Sequence, residues 1–83
     1  MKVQVTLNDI EAGTPYSATG CPIARALARC GYAASVNVTE KTIRYVDRRG
    51  QFHVLTTPAK VALFAANFDA GHTVDPFEFG LHE

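Results

Sequence analysis

The sequence predicts an α+β domain: a mostly antiparallel sheet of four to five strands with two helices on one face, in the order β-α-β-β-β-α-β. Three observations carry this. Short stretches near both ends and in the middle alternate apolar and polar residues with a period of two. Two longer stretches repeat apolar residues at helical spacing, each between a proline and a glycine. The connections between the central alternating stretches have hairpin length, too short for the crossovers of a parallel sheet.

Taken in order, Val3 and Val5 alternate with Lys2, Gln4 and Thr6, a short strand with one buried face. Asn8-Asp9 is placed to cap a brief helical turn that Gly13 ends. Residues 13–20 form a polar loop bracketed by glycines. Pro22 suits the first position of a helix and Gly31 the residue just past its end. Within it Ile23, Ala26, Leu27 and Cys30 fall at i, i+3, i+4 and i+7, one apolar stripe, while Arg25 and Arg29 share the other side.

Three strands follow at 35–38, 42–47 and 51–55. Val36 and Val38 share a face of the first, and Ile43 and Tyr45 share a face of the second, against Arg44 and Val46. In the third, Phe52 and Val54 alternate with His53 and Leu55. Gly50 is available for a positive φ in the second hairpin turn. Thr57 as N-cap and Pro58 at the first position open the second helix, whose stripe is Val61, Phe64, Ala65 and Phe68 and whose stop is Gly71. The segment 75–81 alternates Phe77, Phe79 and Leu81 with Glu78, and Pro76 confines it to a strand start or an edge.

Residues 1–83 read as one domain. At 47% apolar and 19% charged residues the composition is globular, well away from the disordered class. A chain of this size buries roughly 60–65% of its unfolded surface, which leaves little for a deep cleft. No stretch approaches the roughly 18 apolar residues that span a bilayer. The alternating N-terminal residues do not read as a signal peptide, and two cysteines without an export signal point to free thiols in a reducing compartment. The expected address is cytoplasmic.

Formal net charge is zero, but its distribution is lopsided. Lys2, Arg25, Arg29, Lys41, Arg44, Arg48, Arg49 and Lys60 all precede residue 61, where only Asp9, Glu11, Glu40 and Asp47 oppose them. The rest of the chain carries Asp69, Asp75, Glu78 and Glu83 and no lysine or arginine. A basic body and an acidic tail suit contacts with oppositely charged partners.

Cys21 is the one candidate nucleophile. Directly before Pro22, it stands at a helix start, where unpaired N–H groups and the helix dipole favour a thiolate. His53 or His72 would have to reach it as a base. The competing reading is a small residue that closes the loop onto the helix. Cys30 belongs to the apolar stripe. Nine helical residues put the two sulfurs' carbons about 13 Å apart, beyond the roughly 7 Å limit of a disulfide. Metal binding would have to draw on Cys21, Cys30, His53, His72 and His82, with no C-x-x-C or H-x-x-x-H to nucleate a site, so none is expected. No phosphate-binding glycine motif is present, and no cofactor is expected. The pairs Asp75/Glu78 and Asp9/Glu11 read as solvated or capping acids rather than acid–base pairs. Arg25, Arg29, Arg44, Arg48 and Arg49, with Tyr32 and Tyr45, are candidates for a basic, aromatic binding patch. Phe64/Phe68 and Phe77/Phe79 read as core, with a homodimer contact on the C-terminal edge strand as the alternative.

Three blocks carry a resemblance: Val3-Gln4-Val5-Thr6 with Asp9-Ile10-Glu11-Ala12-Gly13; Gly20-Cys21-Pro22-Ile23-Ala24-Arg25-Ala26-Leu27; and Phe68-Asp69-Ala70-Gly71 with Val74-Asp75-Pro76-Phe77-Glu78-Phe79. They cover both ends of the chain, which resembles a group of small proteins encoded by bacteriophages and prophages. The resemblance implies an accessory protein acting in the host cytoplasm and assigns no catalytic or binding residue. The expected function is therefore non-enzymatic binding of a host or phage macromolecule, most simply a protein. A nucleic-acid-binding module using the arginines and a small thiol-dependent enzyme using Cys21 are the alternatives.

Overall fold

A computed structural model describes residues 2–30 and 35–81. Gly31 as a helix stop, Tyr32 as a patch aromatic and His82 as a metal-ligand candidate lie outside the described residues. The chain is an α+β domain whose elements run β1 (Lys2–Val5), α1 (Leu7–Ala12), α2 (Pro22–Arg29), β2 (Ser35–Val38), β3 (Thr42–Val46), β4 (Phe52–Thr56), α3 (Ala59–Asp69) and β5 (Phe77–Gly80).

The expected single sheet is two antiparallel sheets. β2, β3 and β4 form a meander in that order, and β1 pairs with β5 alone. Strand pairing between β1 and β5 joins the two ends of the chain, with Val3 opposite Phe79 and Val5 opposite Phe77. Helix α2 packs against both β1 and β2, with α1 against α2. It therefore bridges the sheets, where two helices covering one face of one sheet were expected. Pairing is decided by which apolar faces can meet, and α2 offers one continuous inward face of Ile23, Ala24, Ala26 and Leu27 to both. Around that face lie Val3, Val5, Val36, Val38, Ile43, Tyr45, Val61, Phe79 and Leu81, all buried.

Local chemistry explains each terminus. The expected brief turn is a six-residue helix, but its cap is Thr6, not Asn8-Asp9. Thr6 Oγ1 accepts from the Asp9 N–H at 3.3 Å, and Asp9 Oδ2 accepts from the Thr6 N–H at 2.9 Å. This is a capping box with aspartate in place of the usual glutamate. Cys21 caps α2, its Sγ accepting from the Ala24 N–H at 3.4 Å, and Pro22 follows where a missing N–H costs nothing.

Helix α3 differs from expectation at its start. Pro58 stands at the cap, because the buried Thr57 hydroxyl donates instead to the Thr39 carbonyl at 2.9 Å. Thr57 also donates its N–H to Lys41 O, so it ties the end of β4 to the β2–β3 turn. The far end behaves as expected. Gly71 at φ 83° allows the His72 and Gly71 N–H groups to reach back to Asn67 O and Phe68 O. No helix among the described residues is long and apolar enough to cross a membrane.

Candidate functional site

An open, chemically mixed surface is the outer face of β2–β3–β4. In an antiparallel sheet, residues directly opposite each other point to the same side. Val36, Val38, Ile43 and Tyr45 turn inward, which leaves two rows outside: Asn37, Arg44 and Val54, then Ser35, Val46 and Phe52. Phe52 is 65% exposed and Val54 50%. Arg44 and Phe52 share a shallow pocket of about 180 Å3 with Ser35, Asn37 and Val46. Strand β4 is an edge of this sheet, and its sequence Phe-His-Val-Leu-Thr carries no lysine, glutamate or proline to block pairing.

The turn at one end of this face is built by Asp47. Its Oδ1 accepts from the Arg49 N–H at 2.8 Å and the Gln51 N–H at 2.9 Å, while its Oδ2 meets His53 Nε2 at 2.8 Å. The His53 hydrogen bond, then those of the backbone, hold the Asp47 carboxyl below its ordinary pKa. His53 also stacks on Tyr45, with ring centroids 4.7 Å apart. Gly50, at φ 84°, completes the turn. The side chains of Arg48 and Arg49 are thus exposed on a turn that is itself held firmly.

The five candidate arginines are not one patch. Arg44, Arg48 and Arg49 are exposed on the β3–β4 hairpin. Arg29 is committed elsewhere: it donates to Asp9 Oδ2 at 2.7 Å and to the Gln4 carbonyl at 2.6 Å. Arg25 is half-buried, with its Nε enclosed and without a hydrogen-bond partner among the described residues. Both belong to α2, which faces the other sheet as well. Phe52 and Val54 are not among the residues the sequence marks as a site. With Phe52 and Val54 on one face of β4 and Leu55 on the other, alternation shows that one apolar face stays outside but not which one.

Cys21 is buried, and burial pushes its thiol pKa up, with the nearby Asp69 charge adding to the rise. Hydrogen bonds from the backbone of α2 offset part of this. The thiolate expected at a helix start is therefore disfavoured, because desolvation outweighs the cap. His53 is engaged with Asp47, and neither it nor His72 hydrogen-bonds to Cys21. Cys30 is half-buried and free, the less enclosed of the two thiols. Among the described residues no group of three histidines, cysteines or carboxylates could hold a metal ion.

Set against known proteins, the chain matches no family model, no curated sequence and no solved structure.

Proposed function

We propose that this is a non-enzymatic accessory protein of the phage type, which acts in the host cytoplasm by binding another protein through the outer face of β2–β3–β4. The observation that carries this reading is the exposure of Phe52 and Val54 beside Arg44 on a sheet whose edge strand is unprotected. Exposed apolar groups clustered with charge are a feature of interaction sites. Arg44, Arg48 and Arg49 select an acidic rim on the partner, and Phe52 and Val54 an apolar centre. An extended segment of the partner can also add to β4 by main-chain pairing.

A single-stranded nucleic acid is the second reading, favoured by Phe52 beside Arg44 as a stacking platform. It ranks below because one exposed ring on this face, next to aliphatic Val54 and Val46, offers little for successive bases. The Cys21 enzyme reading has the least support, given a buried thiol without a base.

The test compares capture from host lysate by the wild type and by Phe52→Thr and Arg44→Gln, two exposed changes that keep strand propensity. A partner retained by the wild type and lost from both variants supports the reading. A partner held equally by all three contradicts it. An oligonucleotide bound at physiological salt, with a slope near −0.7 per phosphate contact and lost in Arg44→Gln, would establish the second reading instead.

A further inference from the structure

A separate concavity lies away from the sheet face. Loop 13–20, the start of α2, the end of β2 and one side of α3 enclose a groove of about 350 Å3, at the lower end of the range of small-molecule sites. Its lining is largely apolar, with Cys21, Ala65 and the half-buried Phe68, whose ring stacks on the buried Phe64 with centroids 6.4 Å apart, beside the polar Ser17 and Thr39. Two carboxylates, Glu40 and Asp69, belong to this lining, and no lysine or arginine does. Neither carboxylate has an ion-pair partner among the described residues.

Asp69 is held in place. The Tyr16 N–H donates to its Oδ1 at 2.8 Å, from a residue at φ 57°, the only non-glycine residue with positive φ among those described. A backbone conformation of that kind costs free energy and recurs where a site is being shaped. The Asp69 charge is felt at Cys21, inside the groove. Ring faces attract cations, and a concavity lined by one sign of charge concentrates the other.

The geometry points to a binding site for a small organic cation with an apolar body, an alkyl- or arylammonium, seated against the half-buried Phe68 with its charge at Asp69 and Glu40. An anion would meet two like charges there. A neutral apolar ligand would remove water from both carboxylates and return nothing to them.

Benzylammonium is the probe, titrated into isotope-labelled protein and followed by amide NMR, with benzyl alcohol as its neutral match. Saturable shifts at Ser17, Cys21, Ala65 and Phe68 are expected, with a dissociation constant of roughly a millimolar and weaker binding of the alcohol by about fivefold. Asp69→Asn keeps an acceptor for the Tyr16 N–H while removing the charge, and Glu40→Gln removes the other. Each should weaken benzylammonium by about fivefold, the scale of one partly exposed ion pair. The proposal is overturned if the alcohol binds the wild type as tightly as the cation. It is equally overturned if the shifts fall outside the groove, or if the variants bind the cation unchanged.

Discussion

Arg29 Nη2 lies 2.7 Å from Asp9 Oδ2, and the same nitrogen donates to Gln4 O at 2.6 Å. One guanidinium thereby joins α2, α1 and the end of β1. Asp9 is buried, its side chain 2% exposed, while Arg29 remains 45% exposed. Burial alone would raise the Asp9 pKa, but the hydrogen bonds from Arg29 and from the Thr6 N–H and hydroxyl outweigh it and hold the carboxyl below its ordinary value.

Acid sensitivity follows from this pair. A carboxyl whose folded pKa is depressed contributes its full stabilisation above the unfolded pKa, near 4. The contribution is lost as pH falls through the lower folded value. Urea midpoints should therefore decline below about pH 4 in the wild type, and Asp9→Asn should flatten that decline. Arg29→Met should cost about 2–3 kcal/mol at neutral pH, since it leaves Asp9 enclosed without its cation. A loss under about 0.5 kcal/mol would reduce the contact to an ordinary surface pair.

The thiols make a second prediction. Cys30, half-buried, should react with a thiol reagent before Cys21, whose sulfur is enclosed and accepts the Ala24 N–H. Cys21→Ser keeps a capping atom and should retain the fold. Cys21→Ala should cost about 1 kcal/mol through the lost cap. Faster modification of Cys21 than of Cys30 would contradict the enclosure of the Cys21 sulfur.

The C-terminal strand is structural. Phe79 and Leu81 are buried, and Phe77 packs on the Phe64 ring at 4.6 Å with the Lys60 ammonium 5.9 Å from its own centroid. Full burial of Phe79 and Leu81 contributes roughly 1.5–3 kcal/mol each, a large share of a small domain's net stability of about 5 kcal/mol. A chain ending at Gly71 should not melt cooperatively. A cooperative transition in that chain would mean that β1 does not need its partner.

Period-two alternation placed every strand within a residue or two of its position, because alternation reports directly on burial of one sheet face. The cap of α1 was not legible at Thr6, since the aspartate three residues on is an uncommon partner in a capping box. Splitting of the strands into two sheets was not legible either. The pairing of Val3 with Phe79 spans nearly the whole chain, and no local pattern encodes such a contact. Arg29 shares a helix side with Arg25 by spacing, yet its guanidinium turns to Asp9, a tertiary ion pair that spacing does not report. The hairpin arginines were legible because Arg48-Arg49-Gly50 reads as a turn. Phe52 and Val54 were not, since β4 has apolar residues on both faces and only the assembled core decides which face is left over.

The surface residues should be expendable for the fold. Arg48→Ala with Arg49→Ala, and Phe52→Thr, should each change stability by less than about 0.5 kcal/mol. Asp47→Ala is different, because it removes the acceptor of the Arg49 and Gln51 N–H groups and the partner of His53. It should lower the thermal midpoint more than either surface change does. Equal effects of Asp47→Ala and Arg48→Ala on thermal melts would contradict the role given to Asp47.

Hydrogen–deuterium exchange of the protein with and without its captured partner tests the central claim most directly. Protection on binding should concentrate in residues 42–56, strongest on β4, where an unpaired edge lies beside Phe52 and Val54. Protection confined to α3 and β5, with β3 and β4 exchanging as in the free protein, would contradict the assignment of the sheet face.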